Sequence, residues 1–139
     1  MLVKTALICF ICLCLFQENQ AQQLSKKSVR KKLLEAVKKC KEEHNPPQGV
    51  GVTFFTNPEE TDYTSKCFTE CILENFQIMD TKGNYKKEKM QSFIKSLPDS
   101  RFKTSIESNL DLCLQTNADN KCEKGYRFIQ CFYKRAVSS

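Results

Sequence analysis

Cysteine and histidine are the residue types here whose spacing could do chemistry beyond ion pairing. The chain holds nine cysteines and a single histidine, His44. Three of the cysteines, Cys9, Cys12 and Cys14, fall in an apolar leader. Cys40, Cys67, Cys71, Cys113, Cys122 and Cys131 remain beyond it. A zinc site is disfavoured, because those six include no C-x-x-C pair and only one histidine is on hand. A Ser-His-Asp or Cys-His centre would depend on that same histidine. His44 is followed by Asn45, so the His-Asp pair of a secreted phospholipase is missing too. The chemistry left to the cysteines is oxidation. An even number in a small exported chain reads as a disulfide framework, for which fifteen pairings are open. The chain is therefore read as a non-enzyme without a cofactor.

The export signal is legible at the start. Lys4 supplies a charge, Thr5 to Phe16 is almost wholly apolar, and Gln17 to Ala21 is polar and ends in a small residue. This is the order of a secretory signal peptide, and the apolar run is too short for the ~20 residues of a membrane span. Residues 1–21 are expected to be removed, leaving one domain over 22–139, secreted and extracellular. Lys4 and Glu18 leave together, so the net charge stays +6. Lysines and arginines recur as Lys26-Lys27, Arg30-Lys31-Lys32, Lys38-Lys39 and Lys86-Lys87, a spacing that marks a solvated helix face. No nucleic-acid motif accompanies them, so nucleic acid is not an expected partner.

Helical periodicity positions the cysteines. Val29, Leu33, Val37 and Cys40 mark a first helix over Ser25 to His44, ended by Asn45-Pro46-Pro47-Gln48-Gly49. Residues from there to Thr61 read as a loop, with Val52, Phe54 and Phe55 either tucked on the core or walling a cavity. The organising helix runs from about Asp62 to Met79, with Phe68, Ile72, Phe76 and Met79 on one apolar face. Cys67 and Cys71 lie one turn apart on it. Their Cβ atoms would be about 5–6 Å apart, too far for a disulfide, so each must reach a distant segment. A turn at Thr81-Lys82-Gly83-Asn84 precedes a short helix carrying Met90, Phe93, Ile94 and Leu97, stopped by Pro98. Asp99 or Ser100 then caps a helix carrying Phe102, Ile106, Leu110, Cys113 and Leu114. The last helix opens near a capping box, Asn120 to Glu123. Cys122, Tyr126, Ile129, Tyr133 and Ala136 form one face, Phe128 and Phe132 a neighbouring one, which predicts a central position. Cys122 and Cys131 point to opposite sides.

Written out, the cysteines read Cys40-x26-Cys67-x3-Cys71-x41-Cys113-x8-Cys122-x8-Cys131. The x3 and final x8 intervals between long gaps resemble the insect odorant-binding proteins, the pheromone and general-odorant carriers. The resemblance covers nearly the whole chain beyond the leader. It implies an all-α fold, a compact bundle of about six helices around an apolar cavity, cross-linked by three interlocked disulfides. Carried over, these pair Cys40 with Cys71, Cys67 with Cys122, and Cys113 with Cys131. The chain departs from the family in its basic charge, in the prolines where a short second helix is usual, and in a tail of only eight residues after Cys131.

The function so implied is a secreted carrier of small hydrophobic molecules. Its candidate cavity lining is Ile72, Phe76, Met79, Met90, Phe93, Ile94, Leu97, Leu110, Leu114, Phe128 and Phe132. Tyr126, Arg127 and Tyr133 are candidate polar contacts for a ligand head group. A membrane chemoreceptor is a further expected partner, and the carrier is expected to be a monomer or weak homodimer. The alternative is a secreted helical protein that acts on membranes or lipids, as saposin-type proteins do, or as a signal. With His44 alone near neutrality, only a modest histidine-driven effect is expected between pH 7 and 5.

Overall fold

The structure is a computed structural model that describes residues 26–49 and 61–137. The expected leader, and Val52, Phe54 and Phe55 of the expected loop, lie outside the described residues. Five helices occur among those described: α1 over 26–44, α2 Tyr63–Asn75, α3 Lys87–Ser96, α4 Arg101–Cys113 and α5 Lys121–Val137.

Each helix ends where its local chemistry dictates. Asn45 closes α1 with φ 43° and donates its N–H to the Lys41 carbonyl at 2.8 Å, an asparagine-adapted left-handed cap with Pro46 behind it. Asp62 caps the start of α2 by accepting from the Ser65 N–H at 2.6 Å. Leu97, before Pro98, is extended and ends α3. Of the two candidate caps, Ser100 takes the role at α4, accepting from the Lys103 N–H at 3.1 Å. At α5 the capping box is half formed: Asn120 accepts from the Glu123 N–H at 2.9 Å. The Glu123 carboxylate turns away to Lys66 and Arg127.

The organising helix ends four residues earlier than the periodicity predicts. The N–H of Gln77 bonds the Glu74 carbonyl at 2.8 Å and that of Ile78 bonds the Leu73 carbonyl at 2.9 Å. Together they close a Schellman motif whose left-handed position, usually glycine, is Gln77 at φ 58°. Met79 then pairs with Tyr85 in an isolated antiparallel bridge, around a turn whose amides are gathered by the Asp80 carboxylate. Met79 is thus off the helix yet 1% exposed, so the bridge delivers to the core what the helix was expected to deliver. Gln77→Gly removes a left-handed strain of about 1 kcal/mol. It is expected to raise the urea midpoint by a corresponding small amount, whereas Gln77→Val lowers it.

Helix α5 is central. It packs against α2 on one side and α4 on the other. Cys122 reaches Cys67 of α2 and Cys131 reaches Cys113 of α4, while Cys71 of α2 reaches back to Cys40 of α1. These are the pairs that the resemblance implies. Of the three bridges Cys67–Cys122 has the shortest Cα separation, 4.4 Å. Gly125 makes that approach possible, since a Cβ there would sit 3.2 Å from both Cα and Cβ of Glu70.

Candidate ligand-binding core

One apolar cluster occupies the space between α2, α3, α4 and α5. Its buried members are Leu73, Ile78, Met79, Met90, Ile94, Ile106, Leu110, Cys113, Phe128 and Phe132. Phe76, Tyr85, Phe93, Leu97, Leu114, Ile129 and Cys131 pack on it, half-buried. The aromatic rings are interlocked. Phe128 stacks on Tyr85 at 4.6 Å between centroids and meets Phe132 edge-on at 5.0 Å, and Phe76 meets Phe93 edge-on at 5.3 Å. The Lys32 ammonium of α1 lies 5.3 Å over the Phe76 ring, at the border of the cluster.

The structure therefore brings together Phe76, Met79, Met90, Phe93, Ile94, Leu97, Leu110, Leu114, Phe128 and Phe132. Ile72 goes elsewhere, onto a smaller cluster of Cys40, Phe68 and Cys71 with Val37 of α1. Phe102, expected on the apolar face of α4, is 55% exposed in its first turn. The polar candidates separate as well. Arg127 is exposed and binds the Glu123 carboxylate at 3.0 Å and the Asn117 carbonyl at 3.2 Å. Tyr126 is buried on the α2 side, where its hydroxyl donates to Thr61 at 3.1 Å. Tyr133 is half-buried near the end of α5.

The polar group that does border the cluster is one the sequence reading missed. Tyr85 donates its hydroxyl to the Lys124 carbonyl at 3.0 Å and shares a hydrogen bond with the Thr116 hydroxyl at 3.1 Å. Burial pushes its phenol above the ordinary range. No helical period marks it, because it stands in the bridge rather than on a helix. A concavity of about 390 Å³ opens beside Met79, lined also by Lys39, Asn75 and Lys86, and one of about 80 Å³ beside Leu97. A groove of about 630 Å³, lined by Phe102, Ser105, Asn109 and Ala136, runs outside α4 and α5.

A second missed group lies behind the cluster. Glu70, 3% exposed, faces α5 under Gly125, with its carboxylate 3.2 Å from the Lys121 ammonium. That approach is not aligned as a hydrogen bond to the carboxylate oxygen, which is otherwise unpartnered. Lys121 binds Glu74 more closely, at 2.6 Å. Burial, and then the hydrogen bond with Glu74, raise Glu70 from 4.5 to about 7. Glu74 moves down, burial being outweighed by its hydrogen bonds with Glu70 and Lys121. A proton on Glu70 that bonds the Glu74 carboxylate accounts for both directions. Lys66 and Glu123 form a separate pair across the same interface at 2.7 Å, which holds Glu123 below its usual range.

The sign follows from linkage. A folded pKa raised above the unfolded one gives stability that is present below pH 4.5 and lost as pH rises through about 7. Complete loss corresponds to about 3 kcal/mol. Stability is therefore expected to decline between pH 5 and 8, and Glu70→Gln to flatten that decline. Thermal midpoints against pH for both proteins check this; parallel slopes would remove Glu70 as the cause.

Glu43, His44 and Cys71 come within metal-ligating distance of one another, but the Cys71 sulfur is tied in a disulfide and offers no thiolate. No helix among the described residues is long and apolar enough to cross a membrane.

An all-helical bundle tied by three disulfides around an apolar, aromatic centre is the architecture of insect odorant-binding proteins. The chain belongs to the PBP/GOBP family, whose profile matches residues 16–135. This is a family of odorant-binding carriers rather than enzymes. The fold is similar to that of odorant-binding protein dmelOBP28a from Drosophila melanogaster, at 22% identity and TM-score 0.65 over 81% of this chain and 96% of that one. It is similar to odorant-binding protein 4 of Chrysopa pallens, at 20% identity and TM-score 0.66 over 78% and 90% of the two chains. A third similar structure is the fatty acid binding protein OBP56a from the oral disk of the blowfly Phormia regina, at 14% identity and TM-score 0.61 over 81% and 95%.

Proposed function

We propose that the protein is a secreted carrier that holds a small hydrophobic molecule among the side chains of the central cluster and moves it through aqueous fluid. The observation that carries this reading is the convergence of Phe76, Met79, Met90, Phe93, Ile94, Phe128 and Phe132 in one cluster that the Cys113–Cys131 disulfide ties at its edge. Core-forming side chains of this kind serve either packing or binding. Methionine has three rotatable bonds and a polarisable sulfur, so Met79 and Met90 can give way to ligands of different shape. Phe76, Phe93, Leu97 and Leu114 are only half-buried and border the cluster on its open sides, where a guest would enter.

Odorants, pheromones and similar semiochemicals fit this chemistry, and the blowfly relative described as a fatty acid binder extends it to acyl chains. Affinity would come from apolar burial at ~25 cal/mol per Å², with one or two hydrogen bonds choosing the head group. Tyr85, stacked on Phe128, brings a hydroxyl to the edge of the aromatic centre for that purpose. Delivery to a membrane chemoreceptor, as a monomer or weak homodimer, completes the reading.

Displacement of a fluorescent apolar probe from the oxidised protein tests it, since the chain has no tryptophan of its own to report binding. Saturable displacement by volatiles or fatty acids, abolished when the disulfides are reduced, is the expected result. A folded monomer that takes up no probe would contradict carriage.

A further inference from the structure

The outer face of α1 carries a cationic stripe that neither the core nor the disulfides use. Lys27, Arg30, Lys31, Leu34, Lys38 and Lys41 recur at helical spacing and are all exposed. At 100° per residue they fall within an arc of about 100°, and at 1.5 Å per residue they span about 21 Å. The opposite face carries Ala36 and Cys40, both buried. Of the nearby acids, Glu35 and Glu42 fall at the margin of the stripe rather than within it. Glu35 approaches Lys31 only to 3.9 Å, with both side chains exposed, so that pair is weak. In the middle of these five cations sits Leu34, 61% exposed.

We infer that this stripe docks the protein on an anionic lipid surface, with Leu34 entering the interface and the five cations meeting the headgroups. Charge complementarity alone would also admit an acidic polymer. The leucine at the centre of the stripe favours lipid, because a bilayer offers an apolar phase to receive it and a hydrated polyanion does not. With a Debye length of about 8 Å at physiological salt, the attraction acts only at the surface. Net charge gives general attraction, whereas the stripe fixes which face meets the bilayer. The inference does not depend on ligand carriage, since its readout is partition onto empty vesicles.

The test is co-sedimentation of the oxidised protein, recovered from the medium of a eukaryotic expression culture, with vesicles of phosphatidylcholine alone or with added phosphatidylserine. Binding to the anionic vesicles only, weakened on going from ~0.15 M to ~1 M salt, is expected. At about fivefold per cation, K27E/K31E/K38E together should lose at least ~100-fold. The triple change K82E/K89E/K95E, of equal charge but off the stripe, should lose far less. L34S should lose roughly tenfold on vesicles while leaving retention on dextran sulfate unchanged. Absence of vesicle binding overturns the inference. Equal losses from the two triple variants reduce it to net charge and overturn it as well. Vesicle binding indifferent to L34S, displaced by dextran sulfate, would assign the stripe to a polyanionic partner instead.

Discussion

Replacing Cys67 and Cys122 together by alanine is expected to lower stability by about 4 kcal/mol, the largest loss among the three disulfides. The bridge closes 55 residues, against 31 for Cys40–Cys71 and 18 for Cys113–Cys131. Loop-closure entropy grows with the logarithm of that length, so the same estimate gives about 3.7 and about 3.2 kcal/mol for the other two. The Cys67–Cys122 bridge also lies beside a close helix contact, where Gly125 lets α5 approach Glu70. Its loss loosens the packing of α5 on α2, and water admitted to the buried carboxyl should lower the folded pKa of Glu70 towards 4.5. Urea unfolding of the three double-alanine variants gives the ranking. A loss greatest for Cys113–Cys131 would show that native packing, and not chain entropy, sets the contribution of each staple.

Phe128→Ala is expected to remove about 3–5 kcal/mol. Phe128 is fully buried, stacks on Tyr85 and meets Phe132, so truncation opens a hole at the point where the aromatic rings interlock. If the cluster is the ligand site, that hole becomes extra room for a guest. A bulkier apolar ligand at saturation should then restore part of the lost stability, by RT ln(1 + [L]/Kd). Thermal midpoints of the variant with short and long acyl ligands report this directly. Recovery that is no greater for the longer ligand would place the hole outside the binding site.

Much of this was readable in the chain, for identifiable reasons. The helices showed because their apolar residues recur every three or four positions, and Pro46, Pro98, Ser100 and Asn120 punctuate them. That Cys67 and Cys71 could not pair followed from helix geometry, whereas the connectivity itself came from the cysteine spacing shared with a family. What periodicity could not show lies off the helices or between them. Met79 and Tyr85 meet in a bridge set by the Asp80-gathered turn. Gln77 ends α2 early by occupying a position that glycine would have announced. Phe102 matched the apolar face of α4 but stands in its first turn, where the exposed end of a helix carries it clear of the core. Glu70 carried a faint signal. It shares with Cys67 and Glu74 the stripe of α2 that a bridge from Cys67 would turn towards its partner helix, the face on which a carboxylate meets that helix. Its raised pKa also places a carboxylate near neutrality, which nothing in its residue type announces.

The central claim is that a ligand sits among the side chains of the central cluster, and the two buried methionines test it most directly. The chain holds three methionines, of which Met1 lies in the expected leader, so Met79 and Met90 are the two among the described residues. Both are buried in the cluster, at 1% and 3% exposure. With 13C-methyl methionine labelling, titration of a displacing ligand should move both methyl resonances along one saturable curve matching the probe-displacement affinity. Saturable binding that leaves both methyls unmoved would contradict the account, and would place the ligand outside the core.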